Sequence, residues 1–384
     1  SRRPRNAGRR RCRRRIRRRI RRLQQQRRRR RRRRLQNPLA RQTAPHPPWW
    51  MIDYSMDSVC NEIHNLSSIF SSLSSGEMNK MRRMVALSSN SSCYTRLFPM
   101  LTNYTLNRIE HVRNHLNLHI PKSGGTSICS LARQKSKHNA NFTIALDSNN
   151  CWEYDHFMPL WMHEAFVPGT DRNEWLIDAT YPSTASLCNM TDRKLPMFVM
   201  NENYLDHPLC TQHRIYSIVI RDPVDRAMSN ERHLGMFDRE HIKERLQLIR
   251  NNYMVWALSS GTTNHGKRLS ILPQREHLVI AMEALLQFDY VLDVAHTTSS
   301  CHNDILYLMG LASNRTGEKS PHENKGAGKE ISLPLSRNEY EELNLLDNEL
   351  YENAHSIVRV DCKFYSLIRE LIDMRWVGGL YDYP

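Results

Sequence analysis

Leu116-Asn117-Leu118-His119-Ile120, followed directly by Pro121-Lys122-Ser123-Gly124-Gly125-Thr126-Ser127, is the stretch that decides how the chain is read. The apolar run predicts a strand over His115 to Ile120, and the residues after the glycines predict a helix over Thr126 to Lys137. A strand, a glycine turn and a helix start place several backbone N–H groups and the positive end of a helix dipole at one point, beside a lysine. That combination is an anion cradle. In the Walker loop GxxxxGK[ST] the lysine follows the glycines, whereas Lys122 precedes Gly124 and Gly125. The loop is therefore phosphate-type, but not that of an ordinary NTPase.

Downstream of residue 115, short apolar runs alternate with helix-like stretches, which predicts βαβ units and an α/β fold around a central, mainly parallel sheet. Strands are expected over His115 to Ile120, Phe142 to Leu146, Trp175 to Asp178, Pro196 to Met200, Arg214 to Arg221 and Tyr290 to Val294. Helices are expected over Thr126 to Lys137, Pro223 to Leu234, Arg239 to Leu258, Gln274 to Gln287, Ser299 to Met309 and Arg337 to Met374. The second landmark is Ile218-Val219-Ile220-Arg221-Asp222-Pro223-Val224-Asp225-Arg226-Ala227-Met228-Ser229. Here a β-branched strand delivers Arg221 at its carboxyl end, Pro223 opens a helix where its missing N–H costs nothing, and Ser229 lies about two turns in. Ligands of open α/β sheets bind beyond the carboxyl ends of strands, so a guanidinium fork and a hydroxyl can close there on one anion.

The formal net charge of +17 suggests a nucleic-acid binder until it is located. Residues 1–41 hold 23 Arg and no Asp, Glu or Lys, so the remainder carries 56 − 23 = 33 basic against 39 acidic residues, a net of −6. A mildly acidic body argues against duplex binding by the folded part. The expected organisation is a disordered Arg-rich tail with a Pro linker over 1–48, a helical lead-in over 49–110 and a catalytic domain over 111–384. No run approaches the roughly 18 apolar residues of a membrane span, and there is no apolar core of a signal peptide. A chain that begins at Ser suggests a fragment, so any membrane anchor is expected upstream. The nine cysteines include no CxxC pair, which removes metal-site spacing and leaves disulfides open. Six N-x-[ST] sequons, at Asn65, Asn90, Asn103, Asn141, Asn189 and Asn314, point towards a glycoprotein of the secretory route.

Taken together, the two landmarks resemble one family. Pro121-Lys122-Ser123-Gly124-Gly125-Thr126-Ser127 looks like the 5′-phosphosulfate loop of sulfotransferases that use 3′-phosphoadenosine-5′-phosphosulfate (PAPS), and Arg221-Asp222-Pro223 with Arg226 and Ser229 looks like their 3′-phosphate motif. Within that superfamily the chain is most similar to the membrane-associated carbohydrate branch, which includes the heparan sulfate 2-O- and 6-O-sulfotransferases. Asn344-Leu345-Leu346-Asp347-Asn348-Glu349-Leu350-Tyr351 resembles the NxxDxxLY segment near the end of those enzymes.

The resemblance implies a three-layer, P-loop-like sulfotransferase fold and transfer of a sulfuryl group from PAPS to a carbohydrate hydroxyl, with no metal. It implies a Golgi-lumenal, membrane-associated enzyme with no specific nucleic-acid partner. Lys122, Ser123, Gly124, Gly125, Thr126 and Ser127 would hold the 5′ end, with Lys122 on the leaving oxygen, and Arg221 and Ser229 would hold the 3′ end. The family's general base implies a histidine between the motifs, with His163 first and His156 second; Glu202 is a third contender, since other sulfotransferases use a carboxylate. The loop Asn324-Lys325-Gly326-Ala327-Gly328-Lys329 falls where the superfamily often covers the 3′ end. A tyrosine or small-alcohol acceptor is the nearer alternative, and non-enzymatic polyanion binding through the Arg tail the more distant one.

Overall fold

A computed structural model describes residues 73–87, 91–112, 114–144, 151, 197–201, 205, 209, 214–235, 250–259, 272–296, 299–312 and 333–377. All of them belong to one compact unit, Ser55–Pro384. The tail and linker, the strand expected over Trp175 to Asp178, His156, His163, Glu202 and the loop at 324–329 lie outside the described residues.

In chain order the elements are α1 (Ser75–Leu87), α2 (Ser91–His111), β1 (Asn114–Leu118), α3 (Gly125–His138), β2 (Phe198–Asn201), β3 (Arg214–Ile220) and α4 (Pro223–Gly235). They continue with α5 (Tyr253–Ser259), α6 (Arg275–Gln287), β4 (Tyr290–Asp293), a 3₁₀ turn (Val294–His296), α7 (Ser300–Leu308), α8 (Arg337–Leu343) and α9 (Leu345–Val377). The four strands form one sheet in the order β2-β1-β3-β4, and every pairing is parallel. The expected α/β class with a parallel sheet is thus the observed one. Of the strand expected over Phe142 to Leu146, the described part makes a single parallel bridge, Ile144 to Phe198.

The register aligns Asn117 with Ser217 across β1 and β3, where the Asn117 amide donates to Ser217 Oγ at 2.8 Å. Every residue of β1, β3 and β4 is buried. Because successive strand residues point to opposite faces, both faces of the sheet are covered, as parallel sheets require. On one face Phe198, Met200, Ile215, Val219, Tyr290 and Leu292 share a core with Leu97 and Leu101 of α2, Ile128 and Leu131 of α3, and Phe364 and Ile368 of α9.

The chain moves from β1 to β2 on one side and later to β3 on the other, so strand order reverses between β1 and β3. In doubly wound sheets this switch point opens a crevice at the carboxyl ends of the strands, where no crossover fills the gap. The glycine loop leaves β1 and Arg221 leaves β3 at that crevice.

The helical lead-in, over its described part, is built into the same unit. Arg83 of α1 donates to the carbonyls of Leu285 (3.1 Å), Leu286 (2.8 Å) and Phe288 (2.7 Å), which end α6, and its Nε reaches Asp361 of α9 at 3.0 Å. A cation at a helix C-terminus satisfies carbonyls that have no intrahelical partner and favours the dipole. Arg108 of α2 forks onto Asp289 at 2.7 and 3.0 Å, while Asp289 also accepts from Asn79 Nδ2 (3.1 Å) and Tyr216 N (2.8 Å). Burial by itself would raise the Asp289 carboxyl, but Arg108 and these N–H donors hold it below the usual carboxylate range.

The single helix expected over Arg337 to Met374 is two helices, α8 and α9, broken at Asn344. Asn344 leaves helical geometry (φ −112°, ψ 31°) because its side chain is engaged elsewhere: Nδ2 donates to Arg250 O and Tyr340 O, both at 2.8 Å, and Oδ1 accepts from Asn252 N at 3.2 Å. Asn252 Oδ1 in turn accepts from Leu346 N (2.9 Å) and Asp347 N (3.1 Å) at the start of α9. Asp347 accepts from Met254 N (2.9 Å) and Val255 N (2.8 Å) at the start of α5. Two helix N-termini therefore cap each other, and Asn344 and Asp347 of the NxxDxxLY stretch are fasteners of this junction.

Among the described residues two disulfides close, Cys129–Cys151 and Cys301–Cys362, with sequence separations of 22 and 61. The first ties α3, the helix behind the glycine loop, to Cys151, whose carbonyl accepts from Met200 N of β2 at 2.9 Å, and the second ties α7 to α9. On the chain-entropy argument loops of this size contribute about 3–4 kcal/mol each.

Candidate functional site

Three conformational features shape the loop between β1 and α3. Ser123 N donates to Ile120 O at 3.1 Å, which closes a tight turn with Lys122 at φ 66°. That left-handed value is uncommon for a residue with a Cβ, and such strain clusters at ligand sites. Gly124 follows at φ 81°, where glycine has no steric cost. Gly125 is required for a different reason: a Cβ there would lie 2.0 Å from Cδ2 of His119. The fully buried His119 ring therefore packs flat against the first helical residue and fixes the angle at which α3 leaves the loop.

Gly124 stands at the N-cap of α3 and makes no side-chain cap, and its carbonyl receives the first backbone bonds, from Ser127 N (3.1 Å) and Ile128 N (3.3 Å). Ser123 is fully buried, and its Oγ has no hydrogen-bond partner among the described residues. A buried hydroxyl in this condition costs free energy until a ligand or water supplies the partner. Helix dipole, buried hydroxyl and adjacent lysine all favour an anion at this point.

Arg221 comes to the same point from β3. Its Nη1 donates to the carbonyl of Lys122 at 3.0 Å, across 99 residues of sequence. The bond turns a planar fork of donors towards the loop, and it is the only one of the fork's five N–H groups committed among the described residues. The helix behind Arg221 is firmly started. Asp222 Oδ1 accepts from Asp225 N at 2.8 Å as the N-cap, Pro223 is the first helical residue, and Arg337 of α8 pairs with Asp225 at 2.8 Å. Ser229 is on α4, half-buried, two turns along from Arg221. Arg226, the third member of the 221–229 motif, is fully buried with its guanidinium 5.1 Å from the Tyr253 ring centroid, so it supports the wall rather than lining it.

Two histidines sense the Lys122 ammonium. Burial, and then Lys122, push His119 down to about 3, so this imidazole is neutral and structural. His233, half-buried on α4 one turn beyond Ser229, is lowered by the same two causes in the same order. It is an imidazole near Lys122 that remains neutral at neutral pH. The sequence reading passed over His233; its one legible signal was the i, i+4 spacing from Ser229, which places both on one helix face.

The end of β4 completes the surroundings. Val294 Cγ2 lies 3.6 Å from where a Cβ on Gly124 would be, so the turn after β4 borders the loop. The structure thus brings together Lys122, Ser123, Gly124, Gly125, Thr126, Ser127 and Arg221 at one crevice, with Ser229 on the adjoining helix. His163, His156 and Glu202 are outside the described residues. No helix among the described residues is long and apolar enough to cross a membrane. No family model matches the chain, and no curated protein is significantly similar to it.

Proposed function

We propose that this chain is a PAPS-dependent sulfotransferase of three-layer, P-loop-like architecture that sulfates a hydroxyl of a carbohydrate acceptor. The observation that carries the reading is the hydrogen bond from Arg221 to the Lys122 carbonyl, made at the switch point between β1 and β3. It joins two sequence motifs, each similar to one phosphate-binding element of that family, into one anion-binding crevice. The donor is a nucleotide anionic at both its 5′ and 3′ positions, and two adjoining cationic elements match that charge distribution. The similarity of both motifs to the carbohydrate branch supports a sugar acceptor.

PAPS supplies the sulfuryl group and departs as 3′-phosphoadenosine-5′-phosphate. An acceptor oxygen forms its bond to sulfur as the bond from sulfur to the 5′-phosphate oxygen breaks, and the acceptor proton passes to a base. Such transfers ask a protein mainly for alignment and for stabilising charge on the leaving oxygen. The N–H groups at the start of α3 orient the 5′ end, and Lys122 neutralises the developing charge. Arg221 and Ser229 hold the 3′ end. His163 is the expected proton acceptor, and His233 is a neutral imidazole already placed near Lys122. The two disulfides and the sequons support a Golgi-lumenal site of action, because disulfides persist in oxidising compartments.

The decisive experiment supplies radiolabelled PAPS with a panel of polysaccharides, tyrosine peptides and small alcohols. Label is expected on polysaccharide, and Lys122→Ala should lower the rate by about 10²–10³-fold with an unchanged thermal midpoint. Label confined to peptide or alcohol would overturn the carbohydrate acceptor. Near-normal turnover by the variant would overturn the role of Lys122.

A further inference from the structure

At the junction of β4 and α9, next to the turn that borders Gly124, Asp293, His296 and His355 each offer one ligand-type atom. The three atoms lie within 4.8 Å of one another. Asp293 is the last residue of β4 and its side chain is fully buried; His296 is exposed at the end of the 3₁₀ turn; His355 lies on α9 and is partly exposed. We propose that these residues form a transition-metal site, with Zn²⁺ as the fitting ion. The proposal is independent of the sulfotransferase reading.

The donor set is two imidazole nitrogens and one carboxylate oxygen, which suits zinc, with bonds of about 2.0–2.2 Å. His355 Nε2 and Asp293 Oδ2 are 2.9 Å apart, close to the spacing of two neighbouring ligands on one ion. Asp293 is held as a ligating carboxylate is usually held. Ala295 N donates to Oδ1 at 3.0 Å, and the Tyr351 hydroxyl reaches Oδ2 at 3.1 Å. The rings are also fixed: Tyr351 meets His355 edge to face at 4.6 Å, and His296 meets His355 at 5.6 Å. An Asp–His ion pair explains Asp293 and His355 but gives no reason for a second imidazole at the same carboxylate. A metal explains all three.

Such an ion would pin the turn after β4 to α9. That turn carries Val294, which borders Gly124, so the metal would hold one wall of the crevice. Three protein ligands leave a position for water or an external ligand. Neighbour spacing in the sequence could not reveal this centre, because its members come from a strand end, a turn and a helix 62 residues apart at the extremes, from 293 to 355.

The test uses the full chain stripped with a chelator and titrated with Zn²⁺ by calorimetry, with Co²⁺ as the spectroscopic probe. The parent is expected to bind Zn²⁺ at this site and to show visible Co²⁺ d–d bands. His296→Gln removes an exposed ligand and leaves the Asp293 contacts to Tyr351 and Ala295 in place; it should weaken Zn²⁺ at least about ten-fold and erase the bands. Asp293→Asn and His355→Gln should do the same, and Tyr351→Phe should weaken binding about ten-fold by loosening Asp293. His138→Gln, an exposed histidine on α3, should change nothing. Absence of Zn²⁺ binding by the parent, or equal affinity and identical Co²⁺ spectra in the parent and His296→Gln, would overturn the site.

Discussion

Arg83 and Arg108 on one side and Arg221 on the other separate the frame of this protein from its site. Arg83 and Arg108 are buried among acceptors: Arg83 on Asp361 and the last carbonyls of α6, Arg108 on Asp289. Arg221 is half-buried at the carboxyl edge of the sheet, fixed by one bond to a loop carbonyl. A saturated guanidinium cannot recruit a ligand without abandoning partners that burial makes costly to leave. One anchored by a single bond is held in place with donors to spare. Charge therefore does opposite work at the two ends of the strands.

The largest effect should come from the frame. Arg83→Ala takes from Asp361 one of its two buried guanidinium partners, leaving Arg82 at 3.1 Å, and strips the last carbonyls of α6 of their donor; breaking a buried pair in this way costs about 3–5 kcal/mol. Urea unfolding should show that loss, while the fraction still folded binds 3′-phosphoadenosine-5′-phosphate as before. A cost below about 1 kcal/mol would mean the network is dispensable and would remove the contrast with Arg221. Arg221→Ala should invert the pattern. Stability should stay within about 0.5 kcal/mol of the parent, and affinity for the same nucleotide should fall about ten- to hundred-fold, as expected for a charge-assisted bond of about 1.5–3 kcal/mol. Unchanged affinity by calorimetry would remove Arg221 from the site.

The same division explains what could be read from the sequence. Element boundaries were legible where local chemistry sets them. Pro223 marks the start of α4 as expected, and the β-branched run 218–220 lies within β3. Gly124 and Gly125 mark a loop because one adopts positive φ and the other admits the His119 ring. The break at Asn344 was not legible, since its cause is a partner at Arg250, 94 residues away. Nor was the meeting of Lys122 and Arg221, which depends on β1 pairing with β3 rather than on either motif. His233 stayed hidden because its chemistry comes from Lys122 on a different element. In each case the missing information was the strand order or a long-range hydrogen bond.

The smallest and most diffuse effect is a pH dependence of the frame. Burial holds His115 and His302 near 4 and His119 near 3, all below the ordinary 6.5. As pH falls through 6.5 the unfolded chain takes up protons that these folded imidazoles refuse, so stability falls with acidification until the folded values are reached. Asp347 acts in the opposite sense: burial raises it to about 6 despite Arg226 and two backbone N–H donors, so between pH 6 and 4 the folded chain keeps a proton that the unfolded chain has lost. With three imidazoles lowered against one carboxyl raised, stability declines as pH falls across that range. Urea midpoints at pH 7, 6 and 5 should therefore decline, and His302→Gln, away from the loop on α7, should flatten the decline. Midpoints that hold steady or rise on acidification would show that the buried imidazoles are charged in the folded chain, and the neutral packing of His119 against Gly125 would have to be abandoned with them.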